Sequence, residues 1–367
     1  MRRISLFLIF VSCGVSLPGS RNEPPPTEIG VYEQMLFEGR EVSDLRLAYK
    51  NGLVHVAFLD PAERVMRYIK VTGNNIFSEI VPNTYPADGG GDLKISSSGI
   101  PFITFYNSRK GALMLAYRGV GSWVVDIIDE ENRTGKFSSF VFDPDGRVHV
   151  SYVNLTFCDL MYASSLGTER NRMLVDEGYR GRATGGSQVY YRTSIALDRL
   201  GLPHISYYEG EGGALKHAVL NHDLLSWNVE YVEDSPGAGR ESSIYITHDN
   251  EVWIAYWDAW LGDLKFASKK EESWEIESVD SSPYRVGKSP VLVEWDGKPV
   301  ISYVDYTNGI PMIAIKKENR WKRYVLLVKR RVKESWMDIE DDLVKIALYL
   351  VPEKMIELID VDLKSLK

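Results

Sequence analysis

The chain is predicted to be all-β: a seven-bladed β-propeller of four-stranded blades, in which the N-terminal strand completes the C-terminal blade. Three observations carry this expectation. One short strand recurs seven times, the copies are spaced by the length of a blade, and the last copy lacks a strand that the start of the chain supplies.

The recurring strand reads VHVAF at 54, PFITF at 101, VHVSY at 148, PHISY at 203, VWIAY at 252, PVISY at 299 and VKIAL at 344. The starts lie 47, 47, 55, 49, 47 and 45 residues apart. Position four is always small (Ala57, Thr104, Ser151, Ser206, Ala255, Ser302, Ala347), and position five is aromatic in six of the seven copies. Alternation of large and small side chains by column is what closely packed sheets require, and we take the motif as strand B.

A turn and an earlier strand precede each copy, as in Phe140-Val141-Phe142 before Asp143-Pro144-Asp145-Gly146, or Ile195-Ala196-Leu197 before Asp198 to Gly201; this is strand A. Strand C follows twelve residues after each motif start, as MRYI at 66, LMYA at 160, LKHA at 215 and LKFA at 264. Strand D opens on an aromatic residue: Phe77, Trp123, Trp227, Trp274 and Trp321. In the seventh repeat, Ser335–Glu340, Val344–Leu350 and Met355–Leu363 supply A, B and C only, while Val31–Glu38 has the D pattern and directly precedes the first strand A. A 3+1 closure removes the unpaired edges of an open ring.

The first residues read as an address. Met1-Arg2-Arg3 is a positive n-region and Ile4–Val11 a short apolar run, too short to span a bilayer. Phe10-Val11-Ser12-Cys13-Gly14 resembles a bacterial lipoprotein box, which implies lipidation of Cys13. The alternative is an ordinary signal peptide cut near Ser16 or Gly19. Residues 1–13 are thus expected to be a signal peptide, 14–29 a Pro-rich tether around Pro24-Pro25-Pro26, and 30–367 a single propeller domain. The expected location is the cell envelope, as a lipoprotein, or the periplasm or exterior.

Composition narrows the partners. With 44% hydrophobic and 11% aromatic residues the chain has material for a large core. Its 43 basic and 51 acidic residues leave a charge of −8, a field that repels nucleic acid and anionic lipid. Membrane contact is expected only through a lipid anchor. Cys13 and Cys158 are the sole cysteines, so no disulfide framework is expected.

The string Pro203-His204-Ile205-Ser206-Tyr207-Tyr208-Glu209 resembles the PHISYYD-like strand of a widespread class of uncharacterised bacterial and archaeal seven-bladed propellers, over residues 31–363. The resemblance implies the fold and little about activity. A fainter likeness to sialidase-type propellers lacks their Ser-x-Asp-x-Gly-x-Thr-Trp box.

Several columns are candidates for chemistry. His55, His149 and His204 share motif position two with Phe102, Trp253, Val300 and Lys345, which reads as packing and not as a metal site. No metal or cofactor is expected; calcium has no specific support. Position seven holds Asp60, Asn107, Asn154, Glu209, Asp258 and Asp305. These are either caps of the B–C turn or an acidic ring for a cation or sugar hydroxyls. The D–A loops repeat Gly then a base (Gly39-Arg40, Gly135-Lys136, Gly239-Arg240, Gly287-Lys288), either pairing with that acidic column or meeting an anionic ligand. The longest repeat carries an extended loop at 177–192 with Tyr179, Arg180, Arg182, Tyr190, Tyr191 and Arg192. Beside it stand Tyr208, Glu209, Trp257, Asp258 and Trp260, a mixture of flat rings and carboxylates suited to sugars. With Arg240, Lys288 and Asp305 these form the candidate binding set. The function they point to is an exported, monomeric binding module for a carbohydrate or an envelope protein. A polysaccharide lyase or glycosidase, or a structural envelope component, remain as alternatives; no catalytic constellation is legible.

Overall fold

The computed structural model describes residues 25–166, 169–177, 192–210, 213–223, 225–270 and 272–366. The signal, Cys13, most of the tether and, within the extended loop, Tyr179, Arg180, Arg182, Tyr190 and Tyr191 lie outside the described residues.

The chain opens with β1 (Thr27–Gly30) and β2 (Tyr32–Glu38), and then lays down seven blades in order. Blade 1 is β3 (Ser43–Lys50), β4 (Leu53–Asp60), β5 (Val65–Thr72) and β6 (Asn75–Ile80); blade 2 is β7 (Ala87–Ile95), β8 (Pro101–Asn107), β9 (Ala112–Arg118) and β10 (Trp123–Asp129). Blade 3 is β11 (Thr134–Phe142), β12 (Val148–Asn154), β13 (Asp159–Leu166) and β14 (Glu169–Asp176); blade 4 is β15 (Ser194–Leu197), β16 (Pro203–Tyr208), β17 (Leu215–Leu220) and β18 (Trp227–Glu233). Blade 5 is β19 (Ala238–Ile246), β20 (Val252–Asp258), β21 (Asp263–Lys270) and β22 (Ser273–Asp280); blade 6 is β23 (Lys288–Trp295), β24 (Lys298–Asp305), β25 (Ile310–Lys317) and β26 (Arg320–Leu327). Blade 7 is β27 (Arg331–Glu340), β28 (Leu343–Val351) and β29 (Met355–Asp362), with β2 as its outer strand. Within each blade the strands run antiparallel, A innermost and D outermost, and all seven motif copies fall on strand B.

The N-terminal strand closes the ring as its pattern implies: Tyr32 pairs with Asp360 and Glu38 with Met355 across β2 and β29. One correction concerns the tether. Thr27–Gly30 adds to the outer edge of blade 6, parallel to β26, with Thr27 opposite Tyr324 and Gly30 opposite Leu327. Ile29 and Val31 bury against the core shared by blades 6 and 7. The chain therefore crosses two blades before entering blade 1. Four residues behind three prolines carry too little pattern to be read as a strand, but an exposed sheet edge recruits them.

Seven apolar clusters hold the ring, one at each junction between neighbouring blades. The aromatic that opens strand D has a fixed role in this packing. Trp123, Trp227, Trp274 and Trp321 meet Tyr68, Tyr162, His217 and Phe266 of the preceding blade edge-on, at centroid distances of 5.2, 5.2, 5.3 and 5.3 Å.

The inner strands have no sheet partner on their axial edge, so their amides need other acceptors. The preceding blade provides them. Asp44 Oδ2 accepts from Gly90 N at 3.0 Å, Asp92 Oδ2 from Phe140 N at 3.3 Å, Ser194 Oγ from Ile244 N at 3.2 Å, Glu241 Oε2 from Ser289 N at 2.6 Å and Ser243 Oγ from Leu292 N at 3.1 Å. At the closing seam β27 presents three carboxylates to blade 1: Glu334 takes Leu45 N, Asp338 takes Tyr49 N, and Glu340 takes the amides of Asn51 and Gly52.

The outer seam contains an acid pair. Glu33 of β2 and Glu357 of β29 share one face, and Arg330 reaches Glu357 at 2.7 Å and Glu33 at 3.8 Å. Burial, then Glu33, pushes the Glu357 carboxyl up to about 7. A carboxyl raised above its unfolded value stabilises the fold in its protonated form, and that stability is lost as pH rises from about 4.5 through about 7. Glu357→Gln is expected to raise the unfolding free energy at pH 8 by roughly 1–3 kcal/mol and to flatten its decline between pH 5 and 8. Denaturant titrations of both proteins across that range check this.

Candidate binding face and axial cavity

The B–C turns and D–A loops gather at one end of the ring. The position-seven residues stand there, and their side chains cap turns. Asp60 Oδ1 accepts from Ala62 N and Glu63 N at 3.1 Å each, Asn107 Oδ1 from Arg109 N and Lys110 N at 3.1 Å each, and Asp258 Oδ1 from Trp260 N and Leu261 N at 3.0 and 2.9 Å. Asn154 caps in the same way, and Asp305 takes Asn308 N. Of the two readings of this column, the turn cap is the one observed. Glu209 differs, meeting Lys216 Nζ at 3.0 Å.

The cations that neutralise this column come mainly from strand C, a correction to the pairing expected of the D–A loops. Arg67 binds Asp60 at 2.9 Å, and Lys265 binds Asp258 at 2.9 Å and Glu233 at 2.7 Å. Among the Gly-base pairs Arg40 reaches the column, at 3.3 Å from Asp60. Lys136 approaches Asp88 at 4.0 Å, Lys288 lies 4.3 Å over the Tyr306 ring, and Arg240 is exposed. The position-five tyrosines complete the network. Tyr152, Tyr207 and Tyr303 donate to Asp129, Asp176 and Asp280 of the preceding blade at 2.7, 2.6 and 2.7 Å, and Tyr256 donates to Glu233. Burial and the adjoining carboxylate hold the Tyr152 and Tyr303 hydroxyls well above their ordinary value, so they remain donors.

The histidine column is internal. His55 Nδ1 lies 2.5 Å from Tyr68 Oη, His149 Nδ1 2.6 Å from Tyr162 Oη, and His204 Nδ1 2.9 Å from His217 Nε2. Burial drives His55 down to about 4 and His204 to about 3, where His217 adds to the effect. These rings are neutral at physiological pH. Among the described residues no group of three or more His, Cys, Asp or Glu is arranged to hold a metal ion.

Among the described residues the face leaves exposed Tyr85 and Phe157 on blades 1 to 3 and, as an arc over blades 4 to 6, Tyr231, Trp260, Tyr284 and Tyr306, with Leu261 beside Trp260. Trp260 is the most open of the rings, at 77% exposure. Its turn is braced from outside. Ala259 N donates to Gly237 O at 2.9 Å and Arg285 Nη2 to Ala259 O at 3.1 Å, while Tyr306 N donates to Arg285 O at 2.8 Å. Arg331 Nη2 in turn donates to the carbonyls of Tyr306 and Thr307 at 3.2 and 3.0 Å. Trp260, Tyr284 and Tyr306 therefore sit on or beside braced turns, and Tyr231 on β18. Trp257, expected beside Trp260, is half-buried, with its Nε1 enclosed, and Tyr208 is buried. Alternation along β20 puts Trp257 opposite Glu241, away from the exposed turn.

Solved structures share this architecture. A protein of unknown function from Dyadobacter fermentans DSM 18053 superposes with a TM-score of 0.55 at 14% identity, over 89% of this chain and 97% of that one. A PL25 ulvan lyase, of a new family of polysaccharide lyase, bound to -[GlcA(1-4)Rha3S]-, gives 0.59 at 11% identity over 89% and 95%. YCF48 bound to D1 peptide gives 0.58 at 11% identity over 93% and 99%. At these identities the likeness is one of fold. No family model and no curated protein matches the chain.

A second feature lies on the axis, where the inner strands enclose a cavity of about 520 Å³. It is lined by Arg46, Asp92, Arg192 and Glu241, by serine and threonine hydroxyls and by Trp336, and it reaches the A–B turns at Pro144 and Arg199. Arg192 thus belongs to the axis and not to the aromatic arc. Its neighbours Asp44 and Glu334 stand 3.9 Å away. The expected set omitted Arg46, Asp92, Glu241 and Glu334. Arg46 has a positional signal, standing opposite the small fourth motif position at Ala57 as Ser139 does at Ser151, whereas Glu241 and Glu334 stand opposite Trp257 and Tyr349 at position six.

Gly237 keeps φ at +87°, and a Cβ there would fall 2.7 Å from Trp260 N. Gly237→Ala is expected to cost about 1–2 kcal/mol of stability and to make the amides of residues 259–262 exchange faster, as read by hydrogen–deuterium exchange.

Proposed function

We propose that the protein is a non-enzymatic binding module that recognises a carbohydrate through the arc of Tyr231, Trp260, Tyr284 and Tyr306. The carrying observation is the exposure of these rings on β18 and on turns held by hydrogen bonds. A flat ring held rigidly loses little entropy on stacking against a sugar face. Arg285 and Lys288 adjoin the arc and supply donors for hydroxyl, carboxylate or sulfate groups. Binding is preferred over catalysis because the position-seven carboxylates of this face cap turns or meet Lys and Arg, and the histidines are internal. That solved propellers of this shape include one bound to a saccharide and one bound to a peptide is compatible with either class of ligand. The rings here stand among charged residues instead of forming one apolar sheet, which favours the sugar.

The test is a glycan and polysaccharide array probed with the protein and with Trp260→Ala. The variant is expected to lose about tenfold to a hundredfold in affinity with its melting temperature unchanged, since Trp260 is 77% exposed. Binding to no glycan overturns the reading and points to an envelope protein as partner. Turnover of a bound polymer would make the protein an enzyme.

The reading includes export and a tether, carried by the charged and apolar N-terminal residues ahead of Thr27. The mature protein is expected to begin at a lipidated Cys13, which intact-mass analysis of the membrane fraction checks. An unmodified N-terminus near Ser16 or Gly19 would remove the anchor.

A further inference from the structure

The axial cavity is a second site, separate from the aromatic arc. Arg46 is only 5% exposed, yet among the described residues its guanidinium makes one hydrogen bond, from Nη1 to Leu45 O at 2.9 Å, and its Nε has no hydrogen-bond partner. The nearest carboxylate, Asp92, is 3.8 Å from that Nε, while Trp336 covers the guanidinium at 4.1 Å. Arg192 stands across the same space and, among the described residues, its guanidinium meets carboxylates only at 3.9 Å. Burial, with Arg192 second, pulls Arg46 down to about 10. Buried guanidinium donors left unengaged are costly, and those that line a cavity mark where an acceptor belongs.

The carboxylates define the other half of the chemistry. Asp44, Asp92, Glu241, Glu334 and Asp338 each turn an oxygen into a blade seam to accept a backbone amide. Glu241 keeps Oε1 without a hydrogen bond among the described residues. With Asp198 at the A–B end, six carboxylates lie in or beside the cavity against four cations, Arg46, Lys94, Arg192 and Arg199, so an added anion enters an already negative space. A metal ion would meet two guanidiniums. A neutral polyhydroxyl ring fits both conditions. Its hydroxyls accept from guanidinium and donate to carboxylate, and charge-assisted bonds form without changing the charge balance. The serine and threonine walls and the Trp336 ring suit the same ligand, and about 520 Å³ lies within the usual range for small-molecule sites.

We propose that the axial cavity binds a neutral monosaccharide-sized polyol, with Arg46 and Arg192 as donors, Asp92 and Glu241 as acceptors and Trp336 as the apolar wall. The proposal shares the carbohydrate class with the loop-face reading but uses none of its residues. Isothermal titration of the full chain with glucose, galactose, mannose and xylose, and with glucuronate and inorganic sulfate as anionic counterparts, tests it. At least one neutral sugar is expected to bind saturably, at least tenfold more weakly to Arg192→Met, and equally to wild type and Trp260→Ala. Binding of the anions alone, binding of no neutral sugar, or equal binding by Arg192→Met overturns it.

Should Arg192→Met not fold, the tryptophan emission of the Trp260→Ala protein decides: the sugar is expected to shift it, and Trp336→Phe in that background to abolish the shift. A shift that persists unchanged overturns the proposal. Array binding through Trp260 without sugar in the cavity leaves the loop-face reading standing alone; sugar in the cavity without array binding does the reverse.

Discussion

The ring depends on how its innermost strands satisfy the amides that face the axis. The outer strands other than β26, which β1 covers, have water at their free edge, whereas the inner edges meet one another around a narrow space. Side chains of the preceding blade solve this, with Asp44, Asp92, Ser194, Glu241 and Ser243 each accepting from the next blade. Bulges in the inner strands accompany the arrangement, with the register shifting between Ser43 and Arg46, Lys136 and Ser139, Ala238 and Glu241, and Val332 and Glu334. A bulge re-aims a side chain without ending the ladder. The axis is charged, then, because carboxylates and hydroxyls are the short acceptors available for this work. Guanidiniums follow as counter-ions, and the cavity they share is a product of closure before it is anything else.

The same economy shapes the opposite radius. Closure through β2 alone would rest on one strand at the edge of blade 7, but β1 extends the grip to blade 6 and β27 clamps blade 1 through Glu334, Asp338 and Glu340. The seam between blades 7 and 1, which no covalent link crosses within the inner strands, thus carries a run of carboxylate-to-amide bonds. Burial raises the Glu334 and Asp338 carboxyls, so part of the favourable hydrogen bonding is offset by the cost of keeping charge out of water. The Glu33 and Glu357 pair adds a like-charge contact on the outside, with Arg330 holding it.

The fold was legible because a propeller writes its unit seven times, and errors at one copy are corrected by six others. Strand B, the small fourth position and the 3+1 closure all came from that redundancy. Features that occur once were not legible. Thr27–Gly30 is a single short strand whose partner is nearly 300 residues away. Trp257 and Trp260 look equivalent in a string, yet one ends a strand whose alternation turns it inward and the other sits in a turn. The acidic seventh column was read in both ways because a cap and a ligand use the same residue types; only the distances to Ala62, Glu63, Trp260 and Leu261 separate them. Arg192 was rightly noticed and wrongly placed, since its loop begins on the face while the residue itself belongs to the axis.

The two ends of the ring are built on different principles, and that difference bears on what each can recognise. At the loop end, backbone hydrogen bonds link each B–C turn to the adjoining D–A loop, as between Ala259 and Gly237 or Tyr306 and Arg285. The position-seven side chains and Arg285 and Arg331 brace those turns, whereas the exposed rings of Trp260 and Tyr284 can change without disturbing the scaffold. Along the axis the reverse holds: Asp92, Glu241 and Glu334 are acceptors for the blades themselves, and any ligand must use what remains of their capacity. A surface whose side chains are independent of the fold can vary to suit an extended partner. A cavity whose side chains hold the fold together is confined to partners that match its fixed pattern of donors and acceptors, and small neutral polyols are the class that makes the least demand on its charge.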